Sequence, residues 1–409
     1  MLDTRQDFYP PLMNQSLVRA CQWILPPYAR IRNQMTLQIE APDLAQLKAL
    51  KGKRVLLMPN HPTYYDDWIA VFILSAHMRQ AFYYLSAHER FRGIEGTLIQ
   101  RLGAYSIRRG LGDRPSVSMT RKLLMQPDCH LVIFPEGGCS YQNDTVMPFR
   151  VGAIQIAFQA LSKLHRQNQT ISDLHVVPLS IKYRYTQNMV PIIDQTLKKL
   201  EHELKLSPES KATLYQRLRA VAERLVDRLE HRHELPPLGD SSRSLNERIT
   251  RLRTYWINGC ETRLGITSKQ NQPIRERVYK VQSVLEERAE TIAAQNFGTY
   301  DSIHQIATNL LNFDALYDGY VAASPTPERF LDTLIRLERY VFRINYPPPK
   351  AHRQVVIRVG EPVNLRQHYD AYVGDRTQTI QQVTQLIQNT VQANLDGLAV
   401  NNQQYLPQL

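Results

Sequence analysis

The amino-acid sequence predicts an α/β fold with a largely parallel central sheet, flanking helices and an all-helical insertion. Between residues 51 and 185, short apolar runs typical of buried strands alternate with stretches whose apolar residues recur at helical spacing. From about 186 to 350 only the helical spacing remains, and breakers such as Pro236-Pro237 interrupt it. The strand pattern returns at Gln354–Val363, after a run of three prolines. The helical block is therefore expected to interrupt one domain.

Residues 1–50 are predicted to form a helical lead-in. Its apolar residues lie between positions 17 and 25, arginines flank them, and Pro26-Pro27 is expected to end the segment. A short helix with Trp23 beside arginines fits a lipid interface, and it fits packing against the α/β core equally well.

The first part of the core, residues 51–185, is predicted to contain five strands separated by four helices. The predicted strands are 54–59, 81–86, 104–108, 130–135 and 175–183. The predicted helices are 66–78, 94–102, 114–126 and 151–165.

The insertion, residues 186–350, shows three runs of apolar residues at helical spacing. They are Leu214, Leu218, Val221, Leu225 and Leu229; Ile274, Val278, Val281, Leu285 and Ile292; and Phe330, Leu334, Leu337 and Val341. Residues 351–400 are predicted to return to the core with its last strand and a final helix from Ile380 to Leu395, and residues 401–409 to form a frayed tail.

The composition favours anionic partners. The 409 residues carry 50 Lys and Arg against 38 Asp and Glu, a net charge of +12. Such a surface suits an anionic membrane, an acidic carrier protein or nucleic acid. No nucleic-acid-binding module is recognisable, so we expect no nucleic-acid partner.

Cysteine usage and hydropathy predict a cytoplasmic protein. The four cysteines lie at positions without paired spacing, which is typical of reduced thiols and of neither a disulfide framework nor a zinc site. No signal peptide and no apolar run of about 20 residues is recognisable. We therefore expect a protein without a transmembrane segment that associates peripherally with membranes.

A histidine and an aspartate stand where the first predicted strand gives way to a helix. The apolar run from Val55 breaks at Pro59, and His61 precedes Asp66 by five residues. On one regular helix these side chains would lie about 140° apart, so they meet only if His61 lies outside the helix. Pro62 disfavours helical geometry at His61. Alone, the pattern is short enough to arise by chance, with the acidic residues only complementing a helix N-terminus.

A second apolar strand ends in a polar turn, Phe134-Pro135-Glu136-Gly137. Four blocks in chain order then resemble those of the glycerolipid acyltransferases, which acylate glycerol 3-phosphate, lysophosphatidate and other lysophospholipids. The blocks are Asn60-His61-Pro62 through Asp66, Gly103 to Arg109, Phe134 to Gly137, and Val177 to Leu179. The resemblance implies a glycerol-phosphate acyltransferase-like fold.

The resemblance also implies roles for individual residues. His61 would be the general base, oriented and supported by Asp66. Arg109 would bind the acceptor phosphate, with Arg108 as its neighbour. Glu136 and Gly137 would form the acceptor-binding turn, with the carboxylate accepting a hydrogen bond from a glycerol hydroxyl.

The sequence departs from the family directly after this turn. The family often continues Thr-Arg-Ser, whereas this chain has Gly138-Cys139-Ser140. The missing arginine leaves the acceptor open, and Arg150 is a candidate substitute. Cys139 is not expected to be a nucleophile, because the sequence places no histidine near it.

The function expected from these residues is O-acyl transfer from acyl-CoA or an acyl carrier protein to a lysophospholipid hydroxyl, such as that of lysophosphatidate. No cofactor or metal is expected. Glycerol 3-phosphate is an alternative acceptor. A hydrolase with a metal bound by His61, Asp66 and Glu136, and a catalytically silent lipid-binding scaffold, are further alternatives.

The insertion is expected to lie beside the site. The strand Val176–Tyr183 should run parallel to those that deliver His61 and Glu136, and the chain leaves the core at its carboxyl end. The inserted helices would then wall the acyl or head-group pocket, or dock a donor or second subunit. An insertion far from the site is the alternative.

Overall fold

The computed structural model describes residues 7–63, 66–110, 112–168, 170–207, 211–235, 244–269, 272–288, 302–313, 316–344 and 347–399. They divide into two compact units. One unit is built from the ranges 1–186 and 351–402, and the other from the range 187–350. The predicted α/β class is confirmed for the first unit.

The first unit contains a mixed, mostly parallel sheet. Its strands are β1 (Met35–Ile39), β2 (Val55–Pro59), β3 (Tyr83–Ala87), β4 (Ala104–Ile107), β5 (His130–Val132), β6 (His175–Tyr185), β7 (Arg353–Val359) and β8 (Val363–Asn364). The order across the sheet is β1-β7-β6-β2-β5-β3-β4, with β8 pairing to β6. Strands β6, β2, β5, β3 and β4 run parallel to one another, whereas β7 and β8 run antiparallel to β6.

Helices cover this sheet. They are α1 (Gln15–Arg32), α2 (Ala41–Lys48), α3 (Asp66–Met78), α4 (Gly93–Arg101), α5 (Arg114–Met125), α6 (Gly152–Asn168), α14 (Tyr369–Gly374) and α15 (Arg376–Ala399). One apolar core joins α1 and α3 to the sheet, and a second joins it to α5, α6 and α15. Because apolar cores lie against both of its faces, the central strand β2 is buried at every position from Val55 to Pro59.

The described residues of the range 187–350 form helices joined by turns and irregular segments, with no strand among them. Its helices are α7 (Val190–Leu204), α8 (Leu214–Arg232), α9 (Leu245–Leu264), α10 (Ile274–Glu287), α11 (residues 302–313), α12 (Tyr320–Ala323) and α13 (Pro327–Val341). The three predicted apolar runs lie on α8, α10 and α13, except Ile292, which lies outside the described residues.

Two features of residues 1–50 differ from the sequence prediction. The lead-in is not only helical, because residues 35–39 form the edge strand β1, paired in parallel with β7. Helix α1 also continues through Pro26 and Pro27 to Arg32. Prolines remove N–H donors and weaken a helix locally, but buried Val18 and Ala29 hold both halves of α1 against the core.

Candidate active site

His61 lies in the turn between β2 and α3, where a second turn fixes its backbone. Its N–H donates to Glu136 Oε1 at 2.7 Å, and its carbonyl accepts from the Ser140 N–H at 2.8 Å. Residues 136–140 follow β5, which is parallel to β2, so both turns lie at the same edge of the sheet. The imidazole rests on Phe134, with ring centroids 4.4 Å apart. Hydrogen bonds to its N–H and to its carbonyl therefore fix the backbone of His61.

The carboxylate that orients His61 belongs to Asp67. His61 Nδ1 lies 2.7 Å from Asp67 Oδ2, which also accepts from the Thr63 N–H at 2.8 Å. Asp67 Oδ1 accepts from the Thr63 hydroxyl at 2.8 Å and from the Tyr183 hydroxyl at 2.7 Å. Asp67 is fully buried, and these donors compensate its desolvation. A carboxylate at Nδ1 fixes the tautomer that leaves Nε2 to exchange protons with a substrate.

The expected pairing of His61 with Asp66 is wrong. Asp66 Oδ2 accepts from Arg353 Nη2 at 2.6 Å, and Asp66 Oδ1 accepts from the Asn33 amide at 2.8 Å. Asp66 and Asp67 are consecutive in the first turn of α3, so their side chains diverge by about 100°. Only one of the two side chains can therefore face His61, and it is that of Asp67.

Strand β6 brings Tyr183 to the site because it is longer than its neighbour. In the β2–β6 register Pro59 pairs with Leu179, so β6 continues beyond the end of β2. The Asn60 side chain extends the pairing by bonding both the N–H and the C=O of Ile181. Asn143 bonds Tyr183 in the same way. The buried side-chain amides of Asn60 and Asn143 thus make the hydrogen bonds that a neighbouring strand would otherwise make, and they position Tyr183.

The surroundings of His61 stabilise its protonated form. Burial alone would lower the pKa of the imidazole, but Cys139 and the hydrogen-bonded Asp67 outweigh it and raise the pKa of His61 from 6.5 to about 10. Burial beside Asp67 and Asp66 raises the pKa of Tyr183, which keeps its hydroxyl protonated as the donor to Asp67.

Cys139 lies at the other ring nitrogen of His61. Its Sγ is 3.5 Å from Nε2, within range for a hydrogen bond to sulfur. Sequence position alone placed no histidine near this cysteine. The structure brings one there because residues 136–140 wrap around the His61 turn.

The two candidate phosphate ligands point to different places. Arg109 forms an ion pair with Glu89, and its Nη1 lies 3.5 Å from the Gly137 carbonyl oxygen. Arg108 instead binds Asp7 at 2.7 Å. Arg109 therefore lies beside the turn that holds His61, and Arg108 is directed elsewhere.

Glu136 binds backbone groups of the turns around His61. The residue is buried, and its two carboxylate oxygens accept backbone N–H groups of His61 and Met147. It builds the turn, and its hydrogen bond to an acceptor hydroxyl stays a prediction. Gly137 has φ +72°, and a Cβ there would lie 2.6 Å from Arg150 Nε. Glycine therefore permits both this conformation and the approach of Arg150 to the turn.

Comparison with known proteins identifies the segment that carries these residues. The acyltransferase family model matches residues 38–182. Residues 38–182 form an acyltransferase domain. The match includes His61, Asp67, Arg109 and Glu136, and it ends one residue before Tyr183.

Similarity to curated proteins extends over part of the chain. Mitochondrial glycerol-3-phosphate acyltransferase 1 of Rattus norvegicus and that of Mus musculus are each 28% identical over 185 residues, and that of Sus scrofa is 27% identical over the same length. The aligned region covers 42% of this chain and 21% of each relative. The chain thus spans about a fifth of the length of the relatives it matches.

The residues of the metal-hydrolase alternative are not assembled in the acyltransferase domain. Asp66 and Glu136 are occupied by Arg353 and by backbone donors. Within the described ranges no group of three or more His, Cys, Asp or Glu residues is arranged to hold a metal ion. The same ranges contain no helix long and apolar enough to span a membrane.

Proposed function

We propose that the protein is an O-acyltransferase that moves a fatty acyl group from a thioester donor to a hydroxyl of a phosphorylated glycerol acceptor. The proposal rests on the His61–Asp67 pair, which lies inside the matched domain. The Glu136 turn fixes this pair at the carboxyl edge of the sheet. Because relatives share little more than this domain, the whole activity is inferred from the site.

His61 is the general base of this reaction. Asp67 holds Nδ1–H, so Nε2 takes the proton from the acceptor hydroxyl as it attacks the thioester carbonyl. General-base catalysis typically contributes about 10²–10⁴-fold. With the pKa of His61 raised to about 10, the imidazole must lose a proton before it acts on the acceptor.

Arg109 is the acceptor's phosphate ligand. Its guanidinium lies beside the Gly137 turn and is held by Glu89, which orients it without burying it. Guanidinium groups bind phosphate bidentately. Arg150, next to Gly137, supplies the second positive charge where the family often has an arginine at the position of Cys139.

Two acceptors fit this arrangement. Lysophosphatidate is the acceptor expected from the sequence. Glycerol 3-phosphate is the second candidate, because the similar proteins are named glycerol-3-phosphate acyltransferases. Acyl-CoA and acyl carrier protein remain the two candidate donors.

Helix α1 is the proposed contact with an anionic membrane. One face packs on the core through Leu17, Cys21 and Leu25. The helix also exposes large apolar side chains and arginines to solvent. The apolar residues are Trp23, Ile24, Tyr28 and Ile31, and the arginines are Arg19, Arg30 and Arg32. An amphipathic helix with arginines and an exposed tryptophan binds anionic interfaces, which places the enzyme where lysolipid acceptors reside.

A panel assay tests the proposed function. Purified protein is incubated with palmitoyl-CoA or palmitoyl-acyl carrier protein and with glycerol 3-phosphate, lysophosphatidate or lysophosphatidylcholine, and lipid products are measured by mass spectrometry. We expect ester formation with a phosphomonoester acceptor and less with lysophosphatidylcholine. Absence of product from every pair would contradict the proposal.

A further inference from the structure

We propose that Cys139 is an acyl-carrying nucleophile, so that the acyl group passes from the donor thioester to Cys139 and then to the acceptor hydroxyl. This inference rests on the proposed function and adds a covalent step to it. The observation behind it is the alignment Cys139–His61–Asp67, in which one imidazole touches sulfur through Nε2 and carboxylate through Nδ1.

The three groups meet the requirements of nucleophilic catalysis. A thiol needs a base within hydrogen-bond reach, and the base needs a third group to orient it. Here the distances are 3.5 Å from Sγ to Nε2 and 2.7 Å from Nδ1 to Oδ2. The backbone bonds of His61 to Glu136 and Ser140 fix the separation, since Cys139 lies between those two residues in one turn.

Accessibility follows the order that the chemistry requires. Asp67 is fully buried, the His61 side chain is 16% exposed, and Cys139 is half-buried. The imidazole and the thiol are therefore both partly open to solvent, while the carboxylate is shielded from it.

The other cysteines lack this environment. Cys129 and Cys260 are buried, and burial raises the pKa of their thiols to about 12 and about 11. Burial also raises the pKa of Cys21, on α1. Cys139, by contrast, has a histidine nitrogen within hydrogen-bond distance of its sulfur. Of the four cysteines, Cys139 is thus the one built for nucleophilic attack.

The covalent step also explains how a strongly basic histidine serves both half-reactions. Proton transfer from the Cys139 thiol to His61 gives thiolate and imidazolium. The thiolate attacks the donor carbonyl, the carbon–sulfur bond to the donor breaks, and His61 returns its proton to the departing thiolate of the donor. The products are acyl-Cys139, neutral His61 and free donor thiol.

The second half-reaction restores the enzyme. Neutral His61 takes the proton of the acceptor hydroxyl, whose oxygen attacks the acyl-Cys139 carbonyl. The Cys139–acyl bond breaks, the ester forms, and thiolate and imidazolium remain. Acylation removes the contribution of Cys139 to the raised pKa of His61, which favours the neutral imidazole that this half-reaction needs.

A trapping experiment tests the intermediate directly. Wild-type protein is mixed with palmitoyl-CoA or palmitoyl-acyl carrier protein without acceptor, quenched in acid and analysed by intact and peptide mass spectrometry. We expect one acyl group on Cys139. Neutral hydroxylamine should release it, because the group is bound as a thioester. After donor removal, added acceptor should take the acyl group from the protein into ester product.

Variants identify the residues responsible. Cys139→Ala, Cys139→Ser and His61→Ala should lose the hydroxylamine-labile adduct, whereas the matched control Cys21→Ala should keep it. Circular dichroism and thermal melts establish that each variant is folded. Steady-state rates of wild type should give parallel double-reciprocal lines, as expected when donor product leaves before acceptor reacts.

The outcomes separate this inference from the proposed function. A wild type that makes ester while showing no adduct, or an adduct that acceptor does not discharge, overturns the role of Cys139 and leaves acyl transfer intact. A folded Cys139→Ala variant that makes ester at the wild-type rate would likewise overturn the role of Cys139 and leave acyl transfer intact. A wild type that makes no ester from any pair contradicts the proposed function itself.

Discussion

At the residue scale, the site depends on which of two adjacent carboxylates meets the histidine. Sequence spacing selected Asp66, and the structure selects Asp67, which shares its buried pocket with Thr63 and Tyr183. Asp66 has its own partner in Arg353, which also lies over the Tyr183 ring, 5.0 Å from the centroid. The neighbouring aspartates therefore have different partners: Asp67 binds the imidazole, and Asp66 binds Arg353 of β7.

Arg108 and Arg109 are also neighbours with different partners, so their alanine variants form a matched pair. Arg109→Ala should raise the KM for a phosphorylated acceptor by about 10-fold or more, because a charge-assisted hydrogen bond to phosphate is worth roughly 1.5–3 kcal/mol. Arg108→Ala should leave this KM nearly unchanged, because its partner Asp7 is a surface carboxylate. Initial rates at varied acceptor concentration measure both, and equal effects would remove Arg109 from the phosphate site.

The raised pKa of His61 predicts how stability depends on pH. Folding favours the protonated imidazole, so its contribution is fully present below about pH 6.5 and is lost as pH rises through about 10. The Tm advantage of wild type over His61→Gln should therefore shrink between pH 7 and pH 10. Thermal melts of both proteins across this range measure it, and an advantage that grows with pH would contradict the assigned direction.

At the scale of elements, the turns and the lengths of strands determine the site. Alternating apolar runs predicted β2, β6 and α3 well, because buried strands and amphipathic helices leave periodic patterns. Strand β5 is shorter than the predicted strand 130–135, since it ends at Val132 before the Glu136 turn. Strand β1 was missed although its apolar residues alternate with polar ones, because the run is only five residues long.

The residues that sequence analysis missed reach the site through tertiary pairing. Tyr183 comes from the overhang of β6, and Cys139 from a turn that wraps around a distant histidine. Neither leaves a local signal. The departure from Thr-Arg-Ser at Gly138-Cys139-Ser140 was the one available clue, and it marked the position without revealing its neighbour.

Helix α1 gives a prediction at this scale. Trp23→Ser combined with Ile31→Ser should weaken binding to phosphatidylglycerol-containing vesicles about 10-fold or more, because these side chains are 84% and 81% exposed and can enter a lipid interface. The matched control is Val373→Ser on α14, also largely exposed at 61%. Vesicle co-sedimentation at low and high salt measures the effect, and unchanged binding by the double variant would exclude α1 as the contact.

At the scale of the whole molecule, the helical range 187–350 begins and ends at adjacent points of the sheet. Strand β6 ends at Tyr185, and β7 begins at Arg353, its direct antiparallel partner. The strands could thus be joined by a two-residue hairpin. Strand β6 is parallel to β2, as predicted, so the chain leaves the sheet at the edge where His61 lies. The expectation that these helices wall the pocket stays a prediction.

Replacing residues 186–352 by an asparagine–glycine turn tests that prediction. The sheet unit should fold, because its strands and both apolar cores lie outside the replaced range. Acyl transfer should persist with altered acceptor preference, measured as the ratio of kcat/KM for lysophosphatidate and glycerol 3-phosphate. A folded variant with the wild-type ratio would end the idea that the helices shape the pocket.

The most direct test of the whole account compares Asp67→Asn with Asp66→Asn. An amide at position 67 would no longer fix the Nδ1–H tautomer or support the imidazolium, so kcat for acyl transfer should fall about 10³-fold or more, by analogy with the oriented histidine of hydrolase triads. An amide at position 66 would break the ion pair with Arg353 and lower Tm, while the folded protein should keep a kcat within a few-fold of wild type. Rates are measured per folded molecule at a temperature where both variants are native. A large loss in Asp66→Asn together with a near-normal Asp67→Asn would contradict the assignment of the catalytic pair.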